Sequence, residues 1–344
     1  MPIQPYSCRT AGLGTAGATA IGLSLPPDTK SMTNAAPVRH PSAARDMCFE
    51  LPEPASLIQA TSGGDTVIHV RRHGNPAGPR VVLSHGNGLA IDAYYPFWSL
   101  LLDEFDVLVF DLRSHGWNDR GSLRDHTVVS FVRDHDAVLK AVGERWGNKP
   151  VIGLYHSVAC LAPLLSEELS THYAGLVLFD PPIARRLKPT FQAFEEAVTK
   201  AERGIRRRAH RFDSIEQFVE LLGFVPMFRH LVNGGRELIA QTTLRPVADD
   251  MGYELRCPPE YEAQIAAYAG VLAVMVDYTI LERPVKVLGA DPTMPFAYLP
   301  ATHVSDFVTV DYDFLPETTH FLQLEQPDAC RDVVIEFLRE RNLV

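Results

Sequence analysis

Clustered positive charge and long apolar runs are both missing from this sequence of 344 residues. Lys and Arg number 32 against 42 Asp and Glu, which gives a formal net charge of -10 at pH 7. Because nucleic-acid binding depends on counterion release by clustered Lys and Arg, this balance argues against a phosphate backbone as partner. No run of about 18 apolar residues occurs, so the sequence predicts no membrane-spanning helix.

Paired cysteines and recognisable metal-binding motifs are also missing. The five cysteines are odd in number and widely spaced, without a C-x-x-C pair: Cys8, Cys48, Cys160, Cys257 and Cys330. The 13 histidines are scattered, and none belongs to an H-E-x-x-H motif. We therefore expect reduced thiols in a cytoplasmic protein, with no metal site and no cofactor.

The first 46 residues differ in composition from the rest of the chain. They are rich in glycine, alanine, threonine and proline and have neither a helical nor a strand period. We predict that residues 1–46 are a disordered extension outside the fold. Two alternatives stay open: a secretory leader with Arg9 as its charged end, and a start codon placed too early, with Met32 or Met47 as the true beginning.

From residue 57 onwards, short apolar runs follow one another with the spacing of strands and helices. Residues 57–60 and 67–70 are separated by a Ser-Gly-Gly-Asp turn and predict an antiparallel hairpin. The other candidate strands are mostly apolar without alternation, as strands covered on both faces are: 81–84, 107–110, 151–154, 176–179, 285–288 and 307–310. Intervening helices are predicted over 93–102, 127–146, 158–169 and 327–341. The sequence thus predicts an α/β fold with a mostly parallel, eight-stranded sheet flanked by helices.

Between residues 183 and 281 the strand rhythm stops and the composition becomes helical and charged. We predict a helical insertion over 183–281 between two parts of one core, 47–182 and 282–344. Its basic run is typical of a solvated helix face, and the alternative is that it attracts an acidic substrate: Arg203, Arg206, Arg207, Arg208, His210 and Arg211. A group of apolar residues either packs the insertion or lines an acyl pocket: Phe218, Leu221, Leu222, Phe224, Met227 and Phe228.

Ser157 lies between a predicted strand and a predicted helix, in the segment Gly-Leu-Tyr-His-Ser-Val-Ala-Cys. In this context a serine is held on a tight turn with its hydroxyl exposed, so it can attack a carbonyl carbon. Small residues are favoured two positions before and after it; Ala159 fits that pattern and Tyr155 does not. The alternative is a serine that only caps the following helix.

Two further segments favour chemistry at this serine. The third strand ends in Ser-His-Gly-Asn-Gly, where a loop can offer backbone N–H groups to an oxyanion, and Asn87 and Val158 are the candidate donors. His320 lies in a loop before the last helix, and Pro327 suits the first turn of that helix. A neutral imidazole there can accept the serine proton and return it to the leaving group.

Taken in order, residues 85–88, 111–116 and 156–159 and the His320 loop resemble the α/β-hydrolase superfamily over about residues 57–338. The resemblance implies a helical cap at 183–281 and a triad in the chain order serine, acid, histidine. It implies Ser157 as nucleophile, His320 as base, and Asp291 as the acid that orients the imidazole. Asp180, at the end of the strand 176–179, stays open as the alternative acid.

A serine at the nucleophile position argues against the dehalogenase and epoxide-hydrolase branches, which resemble this fold but use an aspartate there. We therefore expect a serine hydrolase that cleaves a carboxylic ester, lactone or thioester of a small molecule through an acyl-enzyme. An amidase or carbon-carbon bond hydrolase on the same triad is one alternative. The other is a catalytically silent relative that binds without turnover, because Tyr155 and the position of the acid depart from the family pattern.

Overall fold

An eight-stranded sheet forms the centre of the computed structural model, which describes residues 49–63, 66–168, 172–182, 188–247, 252–276, 281–294 and 310–344. The predicted extension over 1–46 therefore lies outside the described residues. The strands of the sheet are β1 (Ser56–Ser62), β2 (Thr66–Gly74), β3 (Arg80–Ser84), β4 (Asp106–Phe110), β5 (Val151–His156), β6 (Tyr173–Phe179), β10 (Val285–Ala290) and β11 (Asp311–Leu315).

The strand order is β1-β2-β4-β3-β5-β6-β10-β11. β2 runs antiparallel to both β1 and β4, and each of the other neighbouring pairs is parallel. β3, β4 and β5 are buried along their whole length, which agrees with their apolar sequences. The predicted fold class is confirmed.

The last strand lies further along the chain than the sequence indicated. Of the predicted strand 307–310, residues 307–309 lie outside the described residues and Val310 precedes the strand. β11 pairs with β10 from Asp311 onwards and occupies the edge of the sheet, where its residues are mostly half-buried or exposed. An edge strand tolerates polar residues, so β11 has no continuous apolar run that would indicate it in the sequence.

Helices pack against the sheet between the strands: α1 (Tyr95–Trp98), α2 (Val128–Trp146), α3 (Leu161–Leu165), α8 (Leu322–Glu325) and α9 (Pro327–Glu340). α2 begins where the Thr127 hydroxyl accepts the Ser130 N–H at 3.1 Å, and it ends at Gly147, whose φ of 82° suits glycine. The segment predicted as one helix over 93–102 is divided into α1 and two flanking 3-10 turns, Ile91–Tyr94 and Ser99–Leu101.

The chain leaves the sheet after β6 and returns to it at β10, and we call the segment between them the cap, after its predicted role. Its described helices are α4 (Lys188–Arg206), α5 (Ile215–Phe224), α6 (Gly235–Thr243) and α7 (Pro259–Leu272). The cap also contains a small antiparallel sheet in the order β7-β9-β8, from β7 (Arg211–Phe212), β8 (Leu244–Pro246) and β9 (Tyr253–Leu255). The prediction of a helical insertion did not include these strands, since strands of two or three residues are too short to show a period of two.

Two further expectations concern membrane-spanning helices and cysteines. No helix among them is long and apolar enough to cross a membrane. The described cysteines Cys160, Cys257 and Cys330 are buried and carry free thiols. The two remaining cysteines, Cys8 and Cys48, lie outside the described residues.

Candidate active site

Ser157 lies at the sharp turn where β5 ends and a 3-10 turn, Ser157–Cys160, begins. Its φ is +54°, a left-handed backbone conformation that is uncommon for a serine. Such strain persists only where the surrounding structure enforces it, and it is concentrated at functional sites. The residues on both sides of Ser157 are buried, whereas Ser157 itself is partly exposed. The turn therefore presents the hydroxyl at the carboxyl end of the sheet.

His320 connects Ser157 to a buried carboxylate. Its Nε2 lies 3.0 Å from the Ser157 Oγ, and its Nδ1 lies 2.5 Å from the Asp180 Oδ2. Asp180 is fully buried at the end of β6. Because an ionised carboxylate only accepts hydrogen bonds, the imidazole proton belongs on Nδ1, and the Nε2 lone pair faces the serine hydroxyl. The three side chains thus have the relative positions of a Ser-His-Asp triad.

Asp291, the acid preferred from the sequence, forms its hydrogen bonds with Thr293 and Glu317, and it is the alternative acid Asp180 that lies against the imidazole. The Asp291 Oδ1 accepts hydrogen bonds from the Thr293 N–H and hydroxyl at 2.8 and 2.7 Å. Its Oδ2 accepts the Glu317 N–H at 2.8 Å. These three bonds, with that from Glu317 first, hold the pKa of Asp291 below its usual value. Asp291 therefore joins the end of β10 to the loop that carries His320.

Asp180 is positioned by two neighbouring strands that end side by side. β6 and β10 are parallel neighbours, so their carboxyl ends meet at one edge of the sheet. Asp180 donates its own N–H to the Leu288 carbonyl at 2.8 Å, and its Oδ1 accepts the Ala290 N–H at 3.3 Å. The sequence signal for this acid was present, since Asp180 directly follows the apolar run of β6.

A chain of buried hydrogen bonds joins the oxyanion loop (residues 85–88) to the loop that carries His320. The Gly86 N–H donates to the Tyr94 Oη at 3.1 Å. The Tyr94 hydroxyl donates to the His156 Nδ1 at 2.6 Å, because the proton of a neutral His156 ring lies on Nε2, opposite a carbonyl oxygen. The His156 Nε2 then donates to the His320 carbonyl oxygen at 2.8 Å. These bonds fix the position of the His320 backbone, and with it the imidazole.

The side chains in this series of hydrogen bonds are held neutral by their surroundings. Burial, and then the neighbouring His320, lower the pKa of His156 well below its usual value. Burial raises the pKa of Tyr94 far above its usual value. A neutral His156 carries one N–H and one lone pair, so it can donate to the His320 carbonyl and accept from the Tyr94 hydroxyl. We call Gly86, Tyr94, His156, His320, Asp180 and Ser157 the triad network.

The oxyanion loop passes directly beside the serine. A Cβ added at Gly86 would lie 3.3 Å from the Ser157 Cβ and 2.7 Å from the His156 Nδ1, so only glycine fits there. The Gly86 N–H already binds Tyr94. The oxyanion donors predicted from the sequence are the next residue, Asn87, and Val158, which directly follows the serine in the chain. The Asn87 side chain points elsewhere, since its Nδ2 donates to the Glu262 carbonyl at 2.7 Å.

The segment 111–116 supports the oxyanion loop. The buried Asp111 accepts the N–H of Ile91 at 2.8 Å and that of Trp117 at 3.1 Å. His85 accepts the Leu112 N–H at 3.0 Å, and His115 accepts the Gly88 N–H at 3.1 Å. His85 and His115 thus satisfy backbone N–H groups around these turns, as His156 satisfies the His320 carbonyl.

Tyr155, the residue that departs from the small-residue pattern, points into the core. It is fully buried, and its hydroxyl lies 2.6 Å from the Tyr173 hydroxyl. Tyr173 in turn lies 2.5 Å from the His135 Nε2, while the His135 Nδ1 lies 3.0 Å from Asp136. A large residue therefore fits two positions before Ser157, because the ring and hydroxyl of Tyr155 pack against side chains of α2 and β6.

The basic run of the cap divides into two parts. Arg203, Arg206 and Arg207 are exposed, as expected of a solvated helix face. Arg208 instead turns inward and forms an ion pair with the buried Glu262 of α7, against which Gly88 packs. Burial raises the pKa of Glu262, while Arg208 opposes that shift.

The apolar group of the cap divides in a similar way. Phe218 and Leu222 are buried in the core, and Phe224 is 73% exposed. Phe228 stacks on Phe321, beside the His320 imidazole, with ring centroids 5.0 Å apart. The cap thus covers the histidine side of the site with an aromatic ring.

Comparison with known proteins gives a family and a fold. The model of the "Alpha/beta hydrolase family" matches residues 81–333. No curated protein sequence matches this chain. Among solved structures, E-2-(acetamidomethylene)succinate hydrolase is similar with a TM-score of 0.64 and 18% identity, covering 83% of this chain and 100% of that one.

Two further solved structures share the fold. The thioesterase domain from the curacin biosynthetic pathway has a TM-score of 0.60 and 14% identity, covering 81% of this chain and 99% of that one. A thermophilic esterase from Thermogutta terrifontis has a TM-score of 0.57 and 20% identity, covering 83% of this chain and 99% of that one. The family model covers most of the chain, and the sheet order and Ser157 turn agree with it. The chain belongs to the alpha/beta hydrolase family.

Proposed function

We propose that this protein is a serine hydrolase that cleaves a carboxylic ester, lactone or thioester of a small molecule. Ser157 is the nucleophile, His320 the general base and Asp180 the acid that orients the imidazole. The observation that carries the proposal is the continuous path from the serine hydroxyl through the imidazole to a buried carboxylate, with distances of 3.0 and 2.5 Å. Fold similarity at these identities does not transfer a substrate, so the reaction class rests on this path.

The proposed reaction passes through an acyl-enzyme. As the Ser157 Oγ bonds to the carbonyl carbon, its proton passes to the His320 Nε2 and the carbonyl oxygen gains negative charge. The backbone N–H groups of Asn87 and Val158 donate to that oxygen. Asp180 stabilises the imidazolium, which then gives its proton to the leaving alcohol or thiol. A water molecule repeats the sequence at the acyl-enzyme and releases the acid.

An active-site-directed fluorophosphonate and a short p-nitrophenyl ester test this proposal together. We expect the folded protein to be labelled and to hydrolyse the ester. Ser157→Ala and His320→Ala should each lower kcat by about 10⁴-fold or more, because triad members act as a unit. Ser157→Ala should also lose the label.

Ser99→Ala is the matched control, because Ser99 is a partly buried serine that donates to the Pro96 carbonyl and lies outside the triad network. It should keep both labelling and turnover. Persistent labelling of Ser157→Ala would refute the nucleophile assignment. A folded, unlabelled wild-type protein without turnover would favour the silent binding protein, and turnover confined to amides or ketones would favour the other enzyme alternatives.

A further inference from the structure

Three side chains with metal-ligating atoms lie close together where the cap joins the core, outside the triad network. They are His115, after β4, His126, just before α2, and Cys257, just before α7. Each offers one ligand atom, and these atoms all lie within 4.8 Å of one another. All three residues are buried. We call this group the junction cluster.

His126 is the residue that points to a ligand. It is fully buried, yet neither its Nδ1 nor its Nε2 has a hydrogen-bond partner among the residues that the structure describes. Its ring contacts are with other rings: His115, Phe131 and Tyr261, at centroid distances of 5.6, 5.3 and 5.1 Å. Buried polar side chains are nearly always hydrogen-bonded, so an imidazole with both nitrogens unpaired needs an explanation. A metal ion that bonds to one nitrogen supplies it.

His115 is oriented as a metal-binding histidine is. Its Nδ1 donates to the Arg113 carbonyl at 2.9 Å, which fixes the tautomer and leaves the lone pair on Nε2. The Gly88 N–H points at that lone pair from 3.1 Å. A metal ion would take over this lone pair and release the Gly88 N–H.

We propose that His115, His126 and Cys257 bind one Zn²⁺ ion. Two imidazole nitrogens and one thiolate are ligands that zinc prefers, and a tetrahedral ion keeps a fourth position for a solvent molecule or an anion. On binding, the Cys257 S–H bond breaks, its proton passes to solvent and a sulfur–zinc bond forms, with no change of oxidation state.

The consequence is a cross-link between the cap and the core. The segments that carry the ligands already touch, since Arg256 donates to the Gly116 carbonyl at 2.9 Å and Gln264 donates to the His126 carbonyl at 2.7 Å. The sequence predicted no metal site, because metal-binding motifs are recognised by ligands that are close in the chain. This proposal differs because His115, His126 and Cys257 come together only in the fold.

The test uses the full chain, purified without a polyhistidine tag and stripped with a chelator. After Zn²⁺ is added and excess removed by desalting, elemental analysis should find one Zn²⁺ per chain. Co²⁺, added as a spectroscopic probe, should give a thiolate-to-metal charge-transfer band. Cys257→Ser should remove that band and weaken Zn²⁺ binding by at least about 100-fold. None of these readouts depends on turnover.

Cys330→Ser is the matched control, because Cys330 is another buried free thiol, in α9. It should leave the band and the zinc content unchanged. His126→Gln is the second ligand variant; it serves if Cys257→Ser does not fold, because His126 makes no side-chain hydrogen bond that its loss would break. The proposal is overturned if the wild-type chain keeps no zinc, or if zinc stays bound at full stoichiometry in the folded ligand variants. Retention of Cu⁺ but not Zn²⁺ would overturn the choice of ion.

Discussion

The triad network and the junction cluster meet at the oxyanion loop and differ in how their buried polar atoms are paired. In the triad network, Gly86, Tyr94, His156 and His320 form an unbroken series of donors and acceptors. In the junction cluster, both ring nitrogens of His126 lack a hydrogen-bond partner within the described part of the chain. Because an unpaired buried polar group is costly, the first region is complete without a ligand and the second is not. Whether the buried polar atoms of a site are already hydrogen-bonded thus distinguishes a site that is stable without a ligand from one that a ligand would stabilise.

Asp180→Asn should break the triad network and give the largest effect on activity. An asparagine removes the charge that stabilises the imidazolium and favours the wrong tautomer of His320, so we expect kcat to fall by about 10⁴-fold. The measurement is hydrolysis of the p-nitrophenyl ester near neutral pH.

Asp291→Asn is the control for this prediction. Its amide keeps one oxygen as an acceptor, for Thr293 or for Glu317, and Asp291 does not touch the imidazole. We expect a loss of about tenfold or less, through a looser His320 loop. A larger loss in Asp291→Asn than in Asp180→Asn would reverse the assignment of the acid.

A change of pH should affect both regions, because buried histidines in each are held neutral. Burial is the main cause that lowers the pKa of His85 to about 4, of His115 to about 3 and of His126 to about 2, and it also lowers that of His156. Their unfolded pKa is about 6.5, so below that pH the unfolded chain binds protons that the folded chain does not. The stability is therefore fully present above about pH 6.5 and is lost as the pH falls.

Each such histidine should lower the free energy of unfolding by about 1.4 kcal/mol per pH unit below about pH 6.5. Urea unfolding of chelator-treated protein at several pH values between about 7.5 and 5 measures this slope. In His126→Leu the slope should be smaller by the contribution of one histidine. A stability that does not change over this range would contradict the neutral, buried state of these residues.

The central sheet could be predicted because its strands are covered on both faces. The inner stretches 81–83, 107–110 and 151–154 of β3, β4 and β5 are therefore apolar, and the sequence shows them directly. The edge strand β11 and the cap strands β7, β8 and β9 lack that constraint. Edge strands admit polar residues, and two- or three-residue strands have no measurable period, so tertiary pairing alone defines them.

The site could be predicted where its signal is local in the chain. Ser157 and His320 lie in short motifs, and the structure brings their side chains together. The choice between Asp180 and Asp291 was not local, because both follow apolar strands and only the register of β6 against β10 decides which carboxylate faces the imidazole. The junction cluster was beyond sequence reasoning, since Cys257 lies 131 positions after His126 in the chain.

The smallest predicted effect compares one histidine from each region directly. His156→Leu leaves the Tyr94 hydroxyl and the His320 carbonyl without their partner, so we expect the free energy of unfolding to fall by about 2–4 kcal/mol, with a lower kcat as the His320 loop loses its anchor. His126→Leu removes two buried nitrogens that have no hydrogen-bond partner among the described residues, so in chelator-treated protein we expect the free energy of unfolding to stay unchanged or to rise. Urea unfolding of the two variants measures the difference. Equal destabilisation would mean that His126 has hydrogen-bond partners in solution, and the contrast between the two regions would then fail.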